Sequence, residues 1–152
     1  MMNAPTNYAE WINCFEFLKT ATRNNEYIDI LKKGTIEMDE NLLYKFIDNL
    51  DALVAHRLTV SVDKFINLLN AGISDNNAFV MNLLDVRKEF NYLYKLCDLN
   101  VLPEENRNMF KKTIKEQADL MQKTLEEKTV NADRTGLLRS QVRNNPVNRL
   151  EV

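Results

Sequence analysis

The sequence predicts an all-α fold: an up-and-down bundle of four to five helices, with a long central helix at about residues 39–71 and an arginine-containing C-terminal tail. Three observations carry this prediction. Apolar residues recur at intervals of three and four through most of the chain, the period of a helix with one buried face. No segment of the first 130 residues has the alternation of a half-buried strand. Only three glycines and three prolines punctuate 152 residues, which leaves long stretches free of breakers.

The first helix is expected over about residues 7–22. Asn7 can cap it and Glu10, three residues on, can reach back to the cap, while Tyr8, Trp11, Ile12, Phe15 and Leu18 form an apolar stripe flanked by Cys14 and Ala21. A short second helix follows in NNEYIDILKKG, capped by Asn24 or Asn25 and burying Tyr27, Ile28 and Leu31. Lys32 and Lys33 suit its carbonyl end, and Gly34 beyond them is expected in the left-handed conformation that often ends a helix.

The third helix has the clearest boundaries. Asp39 is a good N-cap, Met38 can staple onto Leu43, and the pattern runs to Gly72. Its apolar series is Leu43, Ile47, Leu50, Val54, Leu58, Val62, Phe65 and Leu69, widened by Leu42, Phe46, Leu53 and Val60. A face that wide is expected to meet more than one neighbour, which makes this helix the spine of the fold.

The fourth helix, capped at Ser74 or Asp75, places Phe79, Leu83, Val86, Phe90, Leu93, Tyr94 and Cys97 on its core side. The linker AGIS is so short that helices three and four must lie antiparallel. Pro103, Glu104 and Glu105 suit the start of a fifth helix, to about residue 129, with a narrow stripe of Phe110, Ile114, Ala118, Met121 and Leu125. A narrow stripe fits an outer helix or an exposed seam for self-association, so a homo-oligomer is one expectation.

The length suits one domain, residues 1–130, followed by an arm at 131–152. The formal charge of −2 conceals an asymmetry. The arm holds Arg134, Arg139, Arg143 and Arg149, no lysine, and only Asp133 and Glu151 as acids. Guanidinium groups pair bidentately with carboxylate or phosphate where lysine offers a point charge. Six sizeable apolar side chains, Leu138 and Val142 among them, are too few to order 22 residues alone, so the arm is expected to be mobile unless docked.

Familiar catalytic and ligand chemistry is missing. His56, the one histidine, lies on the polar side of the third helix among Asn49, Ala52, Thr59 and Asp63, and reads as a solvated residue. The arginine-then-histidine spacing of helical-bundle ribonucleases is absent, and Leu53 stands where a di-iron Glu-x-x-His pair would need its glutamate. One histidine and two separated cysteines cannot complete a structural zinc site, and three scattered glycines allow no phosphate loop. Asp48 and Asp51 form the one notable carboxylate pair, best explained as a solvated helix face. Cys14 and Cys97 are expected to be small buried hydrophobes, free thiols in a reducing compartment.

These readings predict no catalytic residue, no metal and no cofactor. The expected function is a non-enzymatic protein–protein interaction module, an adaptor, inhibitor or assembly subunit, placed in the cytoplasm and away from the membrane. Its partner is another protein, with an acidic surface as the best match to Arg134, Arg139, Arg143 and Arg149, flanked by Leu138 and Val142. The alternative is an RNA- or DNA-binding accessory factor that adds Lys111, Lys112 and Lys115 of the fifth helix to those arginines.

Overall fold

The computed structural model describes residues 3–37, 39–71 and 76–132. Over these it holds five helices and no strand: α1 (Tyr8–Leu18), α2 (Asn25–Lys32), α3 (Glu40–Asn70), α4 (Asn76–Leu96) and α5 (Glu104–Ala132). The expected α4 cap at Ser74 or Asp75 and the Met38 staple lie outside the described residues. At the other starts, short polar side chains satisfy the free backbone donors. The side chains of Asn7, Asn24 and Asp39 accept from the backbone N–H groups of Glu10, of Glu26 and Tyr27, and of Leu42, respectively. Glu10 reaches back as expected, accepting from the side-chain Nδ2 of Asn7 at 2.9 Å and the Thr6 hydroxyl at 2.8 Å.

Pairs of contacts fix the directions of the helices. On α1 and α3, Trp11 and Phe15 meet Phe46 and the Leu18 carbonyl meets Arg57, so the two run parallel. Arg57 meets Glu89, while Asn67 and Leu68 share a hollow with Asn82, so α3 and α4 run antiparallel. Asp98, just beyond α4, pairs with Arg107 and Lys111, and Lys111 also lies over Tyr94 one turn back along α4, so α5 returns antiparallel to α4. The result is the up-and-down arrangement that the short connections require.

One apolar core runs through the bundle. At one end Trp11, Phe15 and Phe46 form an aromatic cluster, with Trp11 and Phe46 edge to face at 5.4 Å. The connection after α2 wraps over this cluster. The Trp11 indole Nε1 donates to the Thr35 carbonyl at 3.0 Å, and the Thr35 amide donates to the Pro5 carbonyl at 2.9 Å. Gly34 does not take the expected left-handed conformation. Its role is steric: a Cβ there would lie 2.5 Å from Cζ2 of Trp11.

Three further expectations change. α1 ends at Leu18, four residues early, because Asn24 takes an extended conformation to cap α2 and the chain must turn before it. The buried face of α3 is Phe46, Leu50, Leu53, Val54, Arg57, Ser61 and Phe65: the five apolar members match expectation, Arg57 and Ser61 join them, and Leu43, Ile47, Leu58, Val62 and Leu69 of the expected line are half-buried. Val60, expected on the apolar face, is exposed. On α5 the seam Phe110, Ile114, Ala118, Met121 and Leu125 is buried within the chain's own core and offers no exposed surface for self-association.

Candidate functional site

The C-terminus of α1 has no basic residue in its own last turn, and its final carbonyls need donors. Arg57, one helix away on α3, supplies them: its Nη1 donates to the carbonyls of Leu18 and Ala21, each at 2.7 Å. The same guanidinium donates side-on to Glu89 of α4, Nε to Oε2 and Nη2 to Oε1, both at 2.8 Å. Arg57 and Glu89 are 8% and 9% exposed, which makes this a buried ion pair in which backbone carbonyls satisfy the remaining Nη1 of the arginine. Tyr92 lies under it, with the guanidinium carbon 5.1 Å from the ring centroid.

Arg23, in the turn after α1, extends the network by donating to Glu89 at 3.3 Å and to Asp85. Partial burial alone would lower the pKa of Arg23, but the hydrogen bonds and charges of Asp85 and Glu89 outweigh it and raise the value. Burial is also the main cause of the raised value at Tyr92. One acid thus lies between two arginines, and the second acid is taken by the outer one.

Above this floor opens a cleft of about 510 Å3. Its walls are the Lys19–Arg23 turn, the α3 residues His56, Val60, Ser61 and Lys64, and Asp85 and Glu89 of α4. Four cationic side chains line it against two carboxylates. Both carboxylates are engaged by Arg23 and Arg57, while Lys64 makes no ion pair among the described residues. Lys19 pairs only with the exposed Glu16, at 3.0 Å, a contact of little energetic weight in water. The cleft is therefore a locally positive site in a chain of net charge −2.

On the far side of the same turn lies a second hollow of about 330 Å3, walled by Phe17, Leu18, Ala21, Thr22, Asn24, Tyr27 and Tyr92. Ala21 and Thr22 are common to both. Phe17 is 57% exposed, with its ring 5.1 Å from that of Tyr27. Burial first, and then the neighbouring Cys14, raise the pKa of the Tyr27 hydroxyl, so it stays neutral in ordinary conditions.

The six tail residues singled out from sequence, Arg134, Leu138, Arg139, Val142, Arg143 and Arg149, lie outside the described residues. The three lysines of α5 do not reach the cleft. Lys111 is held by Asp98 at 2.7 Å and lies 5.5 Å from the centre of the Tyr94 ring, while Lys112 approaches Glu116 at 3.9 Å and Lys115 is exposed. Asp48 and Asp51 are exposed and line neither hollow. His56 is exposed, as its polar surroundings suggested, and stands at the cleft rim.

Cys14 and Cys97 are free and buried, and burial pushes the Cys97 thiol up to about 12. No group of three or more metal-ligating side chains comes together among the described residues, and no helix among them is long and apolar enough to cross a membrane. Comparison with known protein families, with characterised proteins and with solved structures returns no match.

Proposed function

We propose that this chain is a non-enzymatic protein–protein interaction module, an adaptor, inhibitor or assembly subunit whose partner presents an acidic surface. The observation that carries this reading is the positive cleft at the α1–α2 turn. Its carboxylates are committed to arginines, and Lys19, His56 and Lys64 stand at its rim. The residues 131–152 carry charge of the same sign through four arginines, so both features favour carboxylates on a partner. Two buried free thiols support a reducing, cytoplasmic setting.

The test is affinity purification of the full chain from its native cell, followed by reconstitution of the complex from purified components. A stoichiometric complex weakened by Arg139→Ala/Arg143→Ala is the expected result. A purified chain that assembles with no protein and turns over a substrate overturns the reading. The second reading, a nucleic-acid accessory factor, draws support from Lys112 and Lys115, which remain exposed on α5. It predicts binding to single- or double-stranded oligonucleotides with an affinity that falls steeply with salt, and no binding at low salt removes it.

A further inference from the structure

We infer that the α1–α2 turn is the docking point for an extended acidic peptide segment of the partner, with a carboxylate in the Lys64 cleft and a large apolar side chain on Phe17 and Tyr27. The inference rests on the interaction-module reading and specifies its site. Two hollows of opposite character, one cationic and one aromatic, share Ala21 and Thr22 as their dividing wall. At ~3.3 Å per extended residue, a few residues suffice to cross such a wall.

The charge of the occupant follows from which ions are already engaged. Asp85 and Glu89 are neutralised by Arg23 and Arg57, so a basic segment finds no free acid, whereas an acid meets Lys64 with no ion pair to break. A nucleic-acid backbone, with its closely spaced charges, would place phosphates against the aromatic Phe17–Tyr27 hollow as well as in the cleft. The chain's own residues 131–152 carry a net positive charge and match the cleft poorly.

The apolar half of the occupant follows from Phe17. It is a large aromatic, more than half exposed, beside a hollow floored by Leu18 and Tyr92. Burial of an anchor in such a pocket dominates small interfaces, while rim charges set the encounter rate and the sign of the partner.

The test uses the full chain and fluorescein-labelled synthetic dodecapeptides in four sets: Asp/Glu pairs with a leucine or phenylalanine two to four residues away, the same acids with glycine, the same apolar residue with neutral neighbours, and Lys/Arg in place of the acids. A dT12 oligonucleotide is the polyanion control. Fluorescence polarisation is expected to show binding by the first set alone. Lys64→Glu and Phe17→Ala should each weaken it at least about tenfold, while Lys123→Glu at an exposed position of α5 leaves it unchanged.

Lys64 in the cleft and Phe17 at the aromatic hollow are both exposed, and circular dichroism melts verify that the variants fold. Binding of all anionic probes alike, dT12 included, or affinity unaffected by Lys64→Glu and Phe17→Ala, overturns the proposal. If the reconstituted complex survives Lys64→Glu/Phe17→Ala at full strength, the interaction function stands and this docking site fails. If no complex forms with any protein, the function itself fails.

Discussion

The interface between α1 and α3 is built in two ways along its length. Near its start, Trp11, Phe15 and Phe46 meet as rings, and the polar contacts lie at the edge, where the indole donates outward to Thr35 and Asn49 donates to the Tyr8 hydroxyl at 3.1 Å. Near its end, Arg57 takes the carbonyls of Leu18 and Ala21 and is itself held by Glu89. The first half is held by shape and apolar area, the second by charges taken out of water. Such halves respond differently to substitution. An apolar contact degrades gradually with lost volume, whereas a buried charge left without its partner has no low-energy alternative.

The largest effect is therefore expected in the charged half. Glu89→Ala should destabilise the chain by about 3–5 kcal/mol in urea unfolding, because Arg57 remains buried without a counter-ion. Replacing both partners, Arg57→Leu with Glu89→Leu, should recover part of that loss. Recovery stays incomplete, since the carbonyls of Leu18 and Ala21 also lose their donor, at roughly 1–3 kcal/mol for each group left unsatisfied. A double variant as stable as the parent would show that Arg57 has no capping role and that the two halves differ only in composition.

The apolar half is tested at Gly34. Adding a methyl group there should cost about 1–3 kcal/mol, the range for overpacking, because Cζ2 of Trp11 occupies the space. In a Trp11→Leu background the penalty of Gly34→Ala should shrink, and the difference between the two measurements is the coupling energy of the pair. Equal penalties in both backgrounds would place the role of Gly34 in its backbone rather than under the indole.

Outside both halves, Asp39→Ala removes a cap that touches only its own helix, through the Leu42 amide at 2.8 Å. A loss of about 1 kcal/mol in the same unfolding assay is expected. This local contact sets the scale against which the tertiary contacts at Arg57 and Gly34 stand out.

The two halves also differ in how much of them can be read from sequence. The aromatic half follows from spacing, since Trp11, Phe15 and Phe46 are large apolar residues at helical intervals and a reading by period places them inside. The same reading leaves Arg57 and Glu89 unplaced, because charged residues are seldom buried unless paired and the pairing spans 32 positions. A signal was present all the same. Phe46, Leu50, Leu53, Arg57, Ser61 and Phe65 continue one buried line at steps of three and four, so Arg57 interrupts an apolar series rather than a polar one. On α4, Glu89 follows Val86 by three and precedes Leu93 by four, at the edge of another. The cleft could not be read at all, since it depends on how far α1 extends before turning, and Arg57 and Asn24 decide that together.

The smallest effect is expected on α5, where two adjacent lysines give an internal contrast. Lys111 is 23% exposed, reaches Asp98 at 2.7 Å and lies near the Tyr94 ring, whereas Lys112 is 77% exposed and stands 3.9 Å from a Glu116 that is also mostly exposed. Water screens the second pair almost completely, so Lys112→Ala should change unfolding free energy by less than about 0.5 kcal/mol. Lys111→Ala loses a shielded ion pair and an aromatic contact that joins α4 to α5, and about 1 kcal/mol is expected. The same two variants bear on oligonucleotide binding. Lys112 is available for phosphate while Lys111 is already paired, so any salt-dependent affinity should fall with Lys112→Ala and be nearly unchanged by Lys111→Ala. Equal losses from both would mean that a phosphate displaces Asp98 from Lys111, and would move the weight of the functional argument from the α1–α2 turn to α5.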